Sequence, residues 1–239
     1  MLNEQTISKM NEMKLFGMAR GFAQRNGKAD HGELSHAEFI GLLVDDEKVH
    51  RETQRLDRLL KNAKFKQQAC LEDVDYKNPR GLSKQVMLEL AGGQWLVKKQ
   101  NVLITGPAGI GKSYIASALG NQACRAGYTT RWDRVPRLFE SLAMARADGS
   151  HLKAITRMGK TGVLILDDFG LSALNDQERK DLLEIVEDRY ASGSTILTAQ
   201  APTKDWHEII GEPTIADAIC DRIFHNTYKI ELYGQKSLR

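Results

Sequence analysis

The sequence predicts an α/β protein with a parallel β-sheet flanked by helices, preceded by a small all-α segment. From Asn101 onward, short apolar runs typical of strands alternate with helical stretches, which favours crossover connections and a parallel sheet. Before Asn101, apolar residues recur at helical spacing instead. We therefore predict three regions: an all-α module over residues 1–66, a connector with a lead-in helix over 67–100, and an α/β core over 101–239.

Composition and charge exclude several other classes. The 239 residues are 41% apolar and 27% charged, which is ordinary for a globular protein and rules out a disordered chain. No apolar run approaches the roughly 18–20 residues of a membrane span, and the N-terminus lacks the apolar stretch of a secretory signal. The three cysteines, Cys70, Cys124 and Cys220, are too far apart for a CxxC metal pair. We expect a cytoplasmic protein without a disulfide framework.

The first region is predicted to contain helices separated by one loop. Residues 1–25 carry a ragged apolar stripe and are predicted to be helical, with an interruption near Gly17. After the loop 26–34, Ser35 and Glu38 have the spacing of a capping box, in which each side chain accepts a backbone N–H of the first helical turn. A long helix with leucines at helical spacing follows to the end of the region.

The core is predicted to contain five strands. They are VLIT at 102–105, TTRWDRV at 129–135, VLIL at 163–166, TILTA at 195–199 and YKIEL at 228–232. The predicted helices lie around 82–98, over Lys112–Ala126 and over Asp176–Ala191. Glycines just beyond the last two helices are typical helix stops.

A phosphate-binding loop follows the first strand. Residues 106–113 match the pattern GxxxxGK[ST] in full, with a strand before it and a helix after it. Glycines let backbone N–H groups converge on an anion, and the helix N-terminus adds free donors. Lys112 is predicted to contact the β- and γ-phosphates of ATP, and Ser113 to bind Mg²⁺. The predicted nucleotide-binding residues are Gly106, Pro107, Ala108, Gly109, Ile110, Gly111, Lys112, Ser113 and Tyr114.

An acidic pair at the end of the strand 163–166 completes the pattern of a P-loop nucleoside triphosphatase. A buried strand that ends in Asp167 and Asp168 is typical of a Walker B motif. Asp167 is predicted to hold Mg²⁺, and Asp168 to activate the attacking water as a general base. The alternative is a pair of turn or helix-capping aspartates before Phe169.

The order of the motifs favours one class of P-loop protein. The NKxD sequence with which a GTPase reads guanine does not occur, and no basic lid typical of a small-molecule kinase is obvious. A strand lies between the phosphate loop and the Walker B strand, and a further strand follows the Walker B helix. That order suits ATPases with an extra central strand that carries a polar sensor residue at its tip.

These residues resemble an AAA+ ATPase of the initiator and helicase-loader branch. More narrowly, the chain is similar to the IstB-like ATP-binding proteins, the helper ATPases of a transposon family, with DnaC-like loaders as close relatives. The stretches that carry the resemblance include MNEMKLFGMARGF (10–22), NVLITGPAGIGKSYIASALG (101–120), VLILDDFG (163–170) and DAICDRIFHN (217–226). The resemblance covers essentially the whole chain.

The resemblance implies further site residues. Thr198 and Gln200 end the sensor strand, where a polar side chain contacts the γ-phosphate or the attacking water; Gln200 departs from the usual asparagine. Arg222 matches the arginine finger, which stabilises charge on the nucleotide of a neighbouring subunit and implies a homo-oligomer. The alternative is a surface arginine paired with Asp221 or Asp217. The 17 residues after Arg222 leave no room for a C-terminal lid, and Arg239 is either near a phosphate or in a disordered terminus.

Basic residues suggest contact with DNA. Residues 48–66 contain seven basic and two acidic side chains, a net charge of +5. The spacing of Lys48, Arg51, Arg55 and Arg58 places them on one helix face, where they form either a phosphate-tracking stripe or an ordinary solvated face. Further candidates are Arg131, Arg134 and Arg137, followed by the stripe Lys153, Arg157 and Lys160. No base-reading motif appears, so binding to duplex DNA is predicted to be largely non-specific.

The sequence thus predicts a Mg²⁺-dependent ATPase that oligomerises on DNA and assists the transposase of its element. Three alternatives remain open at this point. The first is a DnaC-like loader of a replicative helicase. The second is a nucleotide-gated DNA clamp with little turnover. The third is a small-molecule phosphotransferase, which would consume ATP regardless of DNA.

Overall fold

The computed structural model describes residues 2–26 and 34–234, which divide into two units, Met1–Arg58 and Leu59–Arg239. The first unit is helical, as expected. Helix α1 spans Leu2–Glu12, α2 spans Phe16–Asn26, and α3 spans His36–Ala63, so that the unit boundary falls within α3.

The predicted helix break near Gly17 is displaced by a few residues. The chain leaves the helical path between α1 and α2, and Gly17 lies inside α2. A Cβ atom on Gly17 would lie 2.5 Å from the backbone oxygen of Asp46, so glycine is needed there because α2 packs closely against α3. The glycine therefore marks a close helix contact and not a helix end.

The start of α3 confirms the predicted capping box. The backbone N–H of Ser35 donates to the Glu38 carboxylate (2.7 Å), and the N–H of Glu38 donates to the Ser35 hydroxyl (3.2 Å). These two bonds satisfy donors that the first helical turn leaves free. They explain why the helix begins directly after Ser35.

The connector contains two short helices where one was predicted. After a 3₁₀ turn at Leu71–Asp73, helix α4 spans Lys84–Ala91 and α5 spans Gln94–Val97. Gly93, with a φ of 74°, separates the two helices. A left-handed residue cannot continue an α-helix, and glycine adopts that conformation without a steric cost.

The core of the second unit is a five-stranded parallel sheet. Its strands are β1 (Asn101–Thr105), β2 (Thr130–Arg134), β3 (Val163–Phe169), β4 (Ser194–Ala199) and β5 (Thr227–Glu231), in the spatial order β2-β3-β4-β1-β5. The strand order places β4, the last but one in sequence, between β1 and β3. The predicted extra central strand is therefore confirmed.

Helices cover both faces of this sheet. Helix α6 spans Lys112–Arg125, α7 Val135–Ala147, α8 His151–Gly159, α9 Asp176–Arg189, α10 Trp206–Ile210 and α11 Pro213–Phe224. Side chains alternate between the two faces of each strand, so Leu103 joins the apolar cluster with α7 to α11, whereas Val102 and Ile104 join the cluster with α4 to α6. None of the described helices combines the length and the apolar character of a membrane span.

The fold brings the candidate site to one edge of the sheet. In a parallel sheet the ends of the strands share an edge. The phosphate loop follows β1, the acidic pair lies in the last residues of β3, and the sensor residues lie at the end of β4 and just beyond it. The start of each strand lies at the opposite edge. We call these the carboxyl edge and the amino edge.

Candidate functional site

The phosphate loop connects β1 to the N-terminus of α6. Gly106, Gly109 and Gly111 all have positive φ angles, of 144°, 79° and 101°. These conformations are open to glycine and rare for other residues, and they turn the loop around the first N–H groups of α6. A Cβ on Gly106 would also lie 2.3 Å from the carbonyl oxygen of Leu232, which follows β5. Gly106 is thus required both by its conformation and by close packing.

Lys112 is buried beside this loop. Its ammonium group donates to the carbonyl oxygens of Gly106 (2.6 Å) and Pro107 (2.8 Å). Both acceptors belong to the loop itself, so the charge is already held where the phosphates of a nucleotide would lie. A phosphate oxygen is a stronger acceptor for an ammonium group than a neutral carbonyl.

Ser113 and Asp167 form the centre of the site. The Ser113 hydroxyl lies 2.8 Å and 3.0 Å from the two carboxylate oxygens of Asp167. Below them, the hydroxyl of Thr198 donates to Asp167 at 2.6 Å. Asp167 is fully buried, and its hydrogen-bond partners are these two neutral hydroxyls.

This donor set fits Mg²⁺. A buried carboxylate whose hydrogen-bond partners are neutral is stabilised by a nearby cation. Mg²⁺ prefers oxygen ligands and is usually held by one or two protein oxygens together with water and substrate phosphates. The Ser113 hydroxyl and the Asp167 carboxylate are two such oxygens next to the phosphate loop.

Asp168 is held in an uncommon backbone conformation. Its φ is 62°, and it lies where the pairing of β3 with β4 shifts register between Leu166 and Phe169. Its N–H donates to the Thr198 hydroxyl (3.1 Å), and its carboxylate accepts the Nε–H of Arg134 (2.8 Å). Such strained residues persist where surrounding contacts hold them, often at functional sites. Here the strain turns the Asp168 side chain toward Arg134 and the nucleotide cavity.

The two predicted sensor residues differ in burial. Thr198 is fully buried, and its hydroxyl already serves Asp167 and Asp168. Thr198 therefore holds the two aspartates in place, and its contact with the γ-phosphate or the water stays a prediction. Gln200, just beyond β4, is exposed and faces the cavity beside Asp168.

A cavity of about 650 Å³ opens beside these residues, and we call it the nucleotide cavity. This volume falls in the range of about 300–1,000 Å³ that is usual for sites of whole small molecules. Tyr114 belongs to its lining, and burial raises the pKa of its phenol. The lining comes from Lys66, the connector (Gln67, Asp73, Asp75, Arg80), the loop and α6 (Ala108, Gly109, Gly111, Lys112, Ser113, Tyr114) and the strand ends (Asp168, Gln200).

Arg80 is a cavity residue that the sequence did not single out. It is 4% exposed and donates through Nη1 to the carbonyl of Ile110 (2.9 Å) and through Nη2 to that of Asp75 (3.0 Å). Arg80 therefore ties the connector to the phosphate loop. In the sequence it stands within Asn78-Pro79-Arg80-Gly81, which has the composition of a simple turn.

Arg222 lies at the amino edge, away from the nucleotide cavity of its own chain. It donates to the carbonyl of Ala218 (3.0 Å) and pairs with Glu187 of α9 (2.5 Å), so neither Asp217 nor Asp221 is its partner. The side-chain amide of Asn101, at the start of β1, donates to the carbonyls of Arg222 and Ile223. From Asn101 to the end of β1 the chain advances roughly 13 Å, farther than an arginine side chain reaches.

The candidate DNA-binding residues divide into two groups. Lys48, Arg51, Arg55 and Arg58 are exposed on α3, and Arg51 also pairs with Glu47 (2.7 Å). In the core, Arg137 is exposed, whereas Arg131 bonds to Asp133 (3.0 Å) and Arg134 to Asp168. The position of Arg134 at the nucleotide site was not anticipated, and only the pairing of β2 with β3 brings it there. Arg239 lies outside the described residues.

A comparison with known proteins identifies the relatives of this chain. The family model described as "IstB-like ATP binding protein" matches residues 8–239. The "Putative insertion sequence ATP-binding protein y4pL" of Sinorhizobium fredii (strain NBRC 101917 / NGR234) is 48% identical over 239 residues, which is 100% of this chain and 97% of that protein.

Solved structures share the fold at low sequence identity. The structure titled "Crystal Structure of the DnaI" has a TM-score of 0.60 at 21% identity and covers 76% of this chain and 93% of its own. The "Crystal structure of the DnaC helicase loader" has a TM-score of 0.56 at 18% identity and covers 69% of this chain and 96% of its own. These similarities establish the fold of the core.

Proposed function

Since the chain belongs to the family of IstB-like ATP binding proteins, we propose that it is a Mg²⁺-dependent ATPase that assembles on DNA and assists the transposase of an insertion sequence. The observation that carries the proposal is the division of the site between the two edges of the sheet. The nucleotide cavity lies at the carboxyl edge, and the candidate arginine finger lies at the amino edge. A complete site then needs a second copy of the chain.

Binding of ATP follows from the phosphate loop. The loop N–H groups and the N-terminus of α6 receive the phosphates, and the Lys112 ammonium moves from the carbonyls of Gly106 and Pro107 to the β- and γ-phosphates. Ser113 and Asp167 would hold Mg²⁺, which supplies positive charge against the phosphate oxygens. Arg80 keeps the loop in place through Ile110.

In the proposed hydrolysis, the residues at the ends of β3 and β4 have different roles. Asp168 orients and deprotonates the attacking water, and Gln200 offers a polar contact to the water or the γ-phosphate. The hydrogen bond from Arg134 occupies Oδ2 of Asp168 and restrains the side chain, so we propose that it is released as Asp168 turns to the water. Arg222 of one copy stabilises the charge that develops on the nucleotide of its neighbour.

Assembly on DNA is supported by charge. The exposed basic residues of α3, within the proposed contact module 1–66, lie at spacings of three and four and can follow a phosphate backbone. A cytoplasmic ATPase that binds duplex DNA without reading bases suits the delivery of target DNA to a transposase. The transposase is proposed as the client because the 48%-identical relative is named as an insertion sequence protein.

Sedimentation of the full chain tests this proposal. The protein is mixed at fixed salt with long duplex or single-stranded DNA, in the presence of Mg²⁺ and either ATP or ADP. We expect large assemblies on duplex DNA with ATP, and much smaller ones with ADP or with Lys112→Ala. Assembly on single strands alone, or only with a replicative helicase, would replace the transposase with the helicase as client.

The basic stripe is tested in the same assay. Lys48→Glu combined with Arg58→Glu is expected to weaken duplex binding and to flatten its dependence on salt. The matched control is Lys9→Glu combined with Arg20→Glu, which alters two exposed basic residues of the same unit by the same charge. Equal loss of binding in both double variants would contradict a specific stripe.

A further inference from the structure

Two carboxylates line the nucleotide cavity on the side of the connector. They belong to Asp73 and Asp75, and the basic residues Lys66 and Arg80 line the cavity with them. Lys112 marks the part of the cavity that receives the phosphates under the proposed function. A phosphate in contact with a carboxylate is destabilised by repulsion between like charges. The two carboxylates are therefore suited to contact the uncharged part of a bound nucleotide.

The two carboxylates differ in the hydrogen bonds that they already accept. The carboxylate of Asp75 accepts the backbone N–H of Lys77 (2.7 Å) and the side-chain amide of Asn78 (2.6 Å), so it closes a turn of the connector. Asp73 is exposed, and within the described part of the chain no group donates a hydrogen bond to its carboxylate. Of the two, Asp73 therefore has the greater capacity to accept hydrogen bonds from a ligand.

The segment that carries Asp73 packs against α6. Val74 is buried in a small apolar cluster with Ala118 of α6. On the other side of Asp73, Glu72 pairs with Arg125 in the last turn of α6 (2.6 Å). The helix whose N-terminus receives the phosphates thus also supports Asp73. A ligand group that binds Asp73 therefore finds it already in place, which reduces the entropy lost on binding.

Tyr114 shows that Asp73 lies near the first turn of α6. The Tyr114 side chain packs on the same apolar cluster and lines the nucleotide cavity. Burial raises the pKa of its phenol, and the nearby negative charge of Asp73 adds to this shift. A phosphate loop holds the α- and β-phosphates on its N–H groups, and its lysine reaches the β- and γ-phosphates. Because Tyr114 follows Lys112 by two positions, we expect the ribose, the first group after the α-phosphate, to lie near Tyr114 and Asp73.

We propose that the carboxylate of Asp73 binds the ribose of the nucleotide by accepting hydrogen bonds from its 2′- and 3′-hydroxyls. A carboxylate is an acceptor only, and the donors that adenine nucleotides offer are these two hydroxyls and the 6-amino group of the base. The hydroxyls are closer to the α-phosphate, and hence to α6, than the amino group is. The inference rests on the proposed function, because it requires a nucleotide in the cavity. It makes Asp73 a residue that selects ribonucleotides over deoxyribonucleotides.

A comparison of sugars tests the inference. Calorimetry of the full chain with Mg²⁺ measures the affinities for ADP, 2′-deoxy-ADP and 3′-deoxy-ADP, since ADP has the ribose of ATP and is not hydrolysed. We expect the wild type to bind each deoxy form about tenfold or more weakly than ADP, the value of one hydrogen bond to a charged group. In Asp73→Ala we expect both ratios to fall close to one. The ratios cancel the general gain in affinity for anions that follows from removing a negative charge.

One variant and one further ligand serve as controls. Glu140→Ala removes a negative charge from an exposed side chain of α7 outside the nucleotide cavity, and it should keep the wild-type ratios. Purine riboside diphosphate lacks the 6-amino group but keeps the ribose, so its affinity relative to ADP should be the same in the wild type and in Asp73→Ala. Because Asp73 is exposed, its replacement should leave the thermal unfolding of the chain unchanged.

The possible outcomes separate the inference from the proposed function. Equal affinities of the wild type for ADP and both deoxy forms overturn the inference, as does discrimination that persists in folded Asp73→Ala. If Asp73→Ala changes only the relative affinity for purine riboside diphosphate, Asp73 contacts the base, and the inference is again wrong. All these outcomes leave the proposed function in place. A wild-type chain that binds no adenine nucleotide overturns the proposed function itself.

Discussion

The two edges of the sheet are built in opposite ways. At the carboxyl edge, Lys112 and Ser113 line a cavity of about 650 Å³, loop carbonyls hold Lys112, and the buried Asp167 bonds to the hydroxyls of Ser113 and Thr198. At the amino edge, basic residues surround a recess of about 140 Å³. The first edge has oxygen ligands that fit a metal and room for a nucleotide, whereas the second has a small recess with basic residues, of which Arg222 pairs with Glu187.

Under the proposed function, neither edge is a complete site by itself. A phosphate-binding loop without an arginine finger binds a nucleotide but stabilises the transition state of nucleotide hydrolysis poorly. Because β1 joins the two edges, contacts made by Asn101 at its start and by the loop at its end belong to one rigid element.

Arg222→Ala should have the largest effect on turnover. We expect ATP hydrolysis by the assembled protein to fall about 10³–10⁵-fold, the value of an arginine finger, while ATP binding by the isolated chain is unchanged. Phosphate release and nucleotide titration measure the two quantities. An equimolar mixture with Lys112→Ala should recover activity, since it contains interfaces with one intact half from each variant. Absence of recovery would contradict action between copies.

Asp168→Asn should have the next largest effect, now at the carboxyl edge. Loss of the general base is expected to lower turnover by about 10²–10⁴-fold, while Lys112, Ser113 and Asp167 retain ATP binding. The same two assays apply. Unchanged, very slow turnover in both the wild type and this variant would favour a nucleotide-gated clamp.

Asn101→Ala probes the rigidity of the amino edge. Two carbonyls and the N–H of Thr195 lose their partner, so we expect the free energy of unfolding to fall by about 1–3 kcal/mol in denaturant titrations. The neighbouring Gln100→Ala removes only an exposed bond to Asn226 and should change stability by about 0.5 kcal/mol or less. Equal effects of both variants would show that Asn101 does not organise this edge.

Arg134→Ala should have the smallest effect. The pair with Asp168 is partly exposed, and such pairs are worth about 1 kcal/mol or less. Release of Asp168 is expected to raise turnover of the chain without DNA by up to about fivefold. A fall in turnover would instead show that Arg134 positions Asp168 for the reaction.

The features that the sequence predicted correctly are motifs of consecutive residues. The phosphate loop and the acidic pair are short segments, and each occupies the end of a strand as expected. The capping box at Ser35 and the central position of β4 were also predicted correctly. The helix break near Gly17 was predicted to within a few residues, but the close packing at Gly17 was not, since a glycine in a sequence does not reveal whether it ends a helix or permits a close contact.

The sequence by itself determined the strands, the phosphate loop and the identity of the groups that can hold Mg²⁺, because these depend on residues close together in the chain. Only the tertiary structure decided that Arg134 contacts Asp168, that Thr198 lies behind the aspartates, and that Arg80 holds the loop. It also placed Lys98, Arg189 and Arg222 around one recess. Such groupings depend on strand order and helix ends, which bring distant residues together without leaving a local pattern.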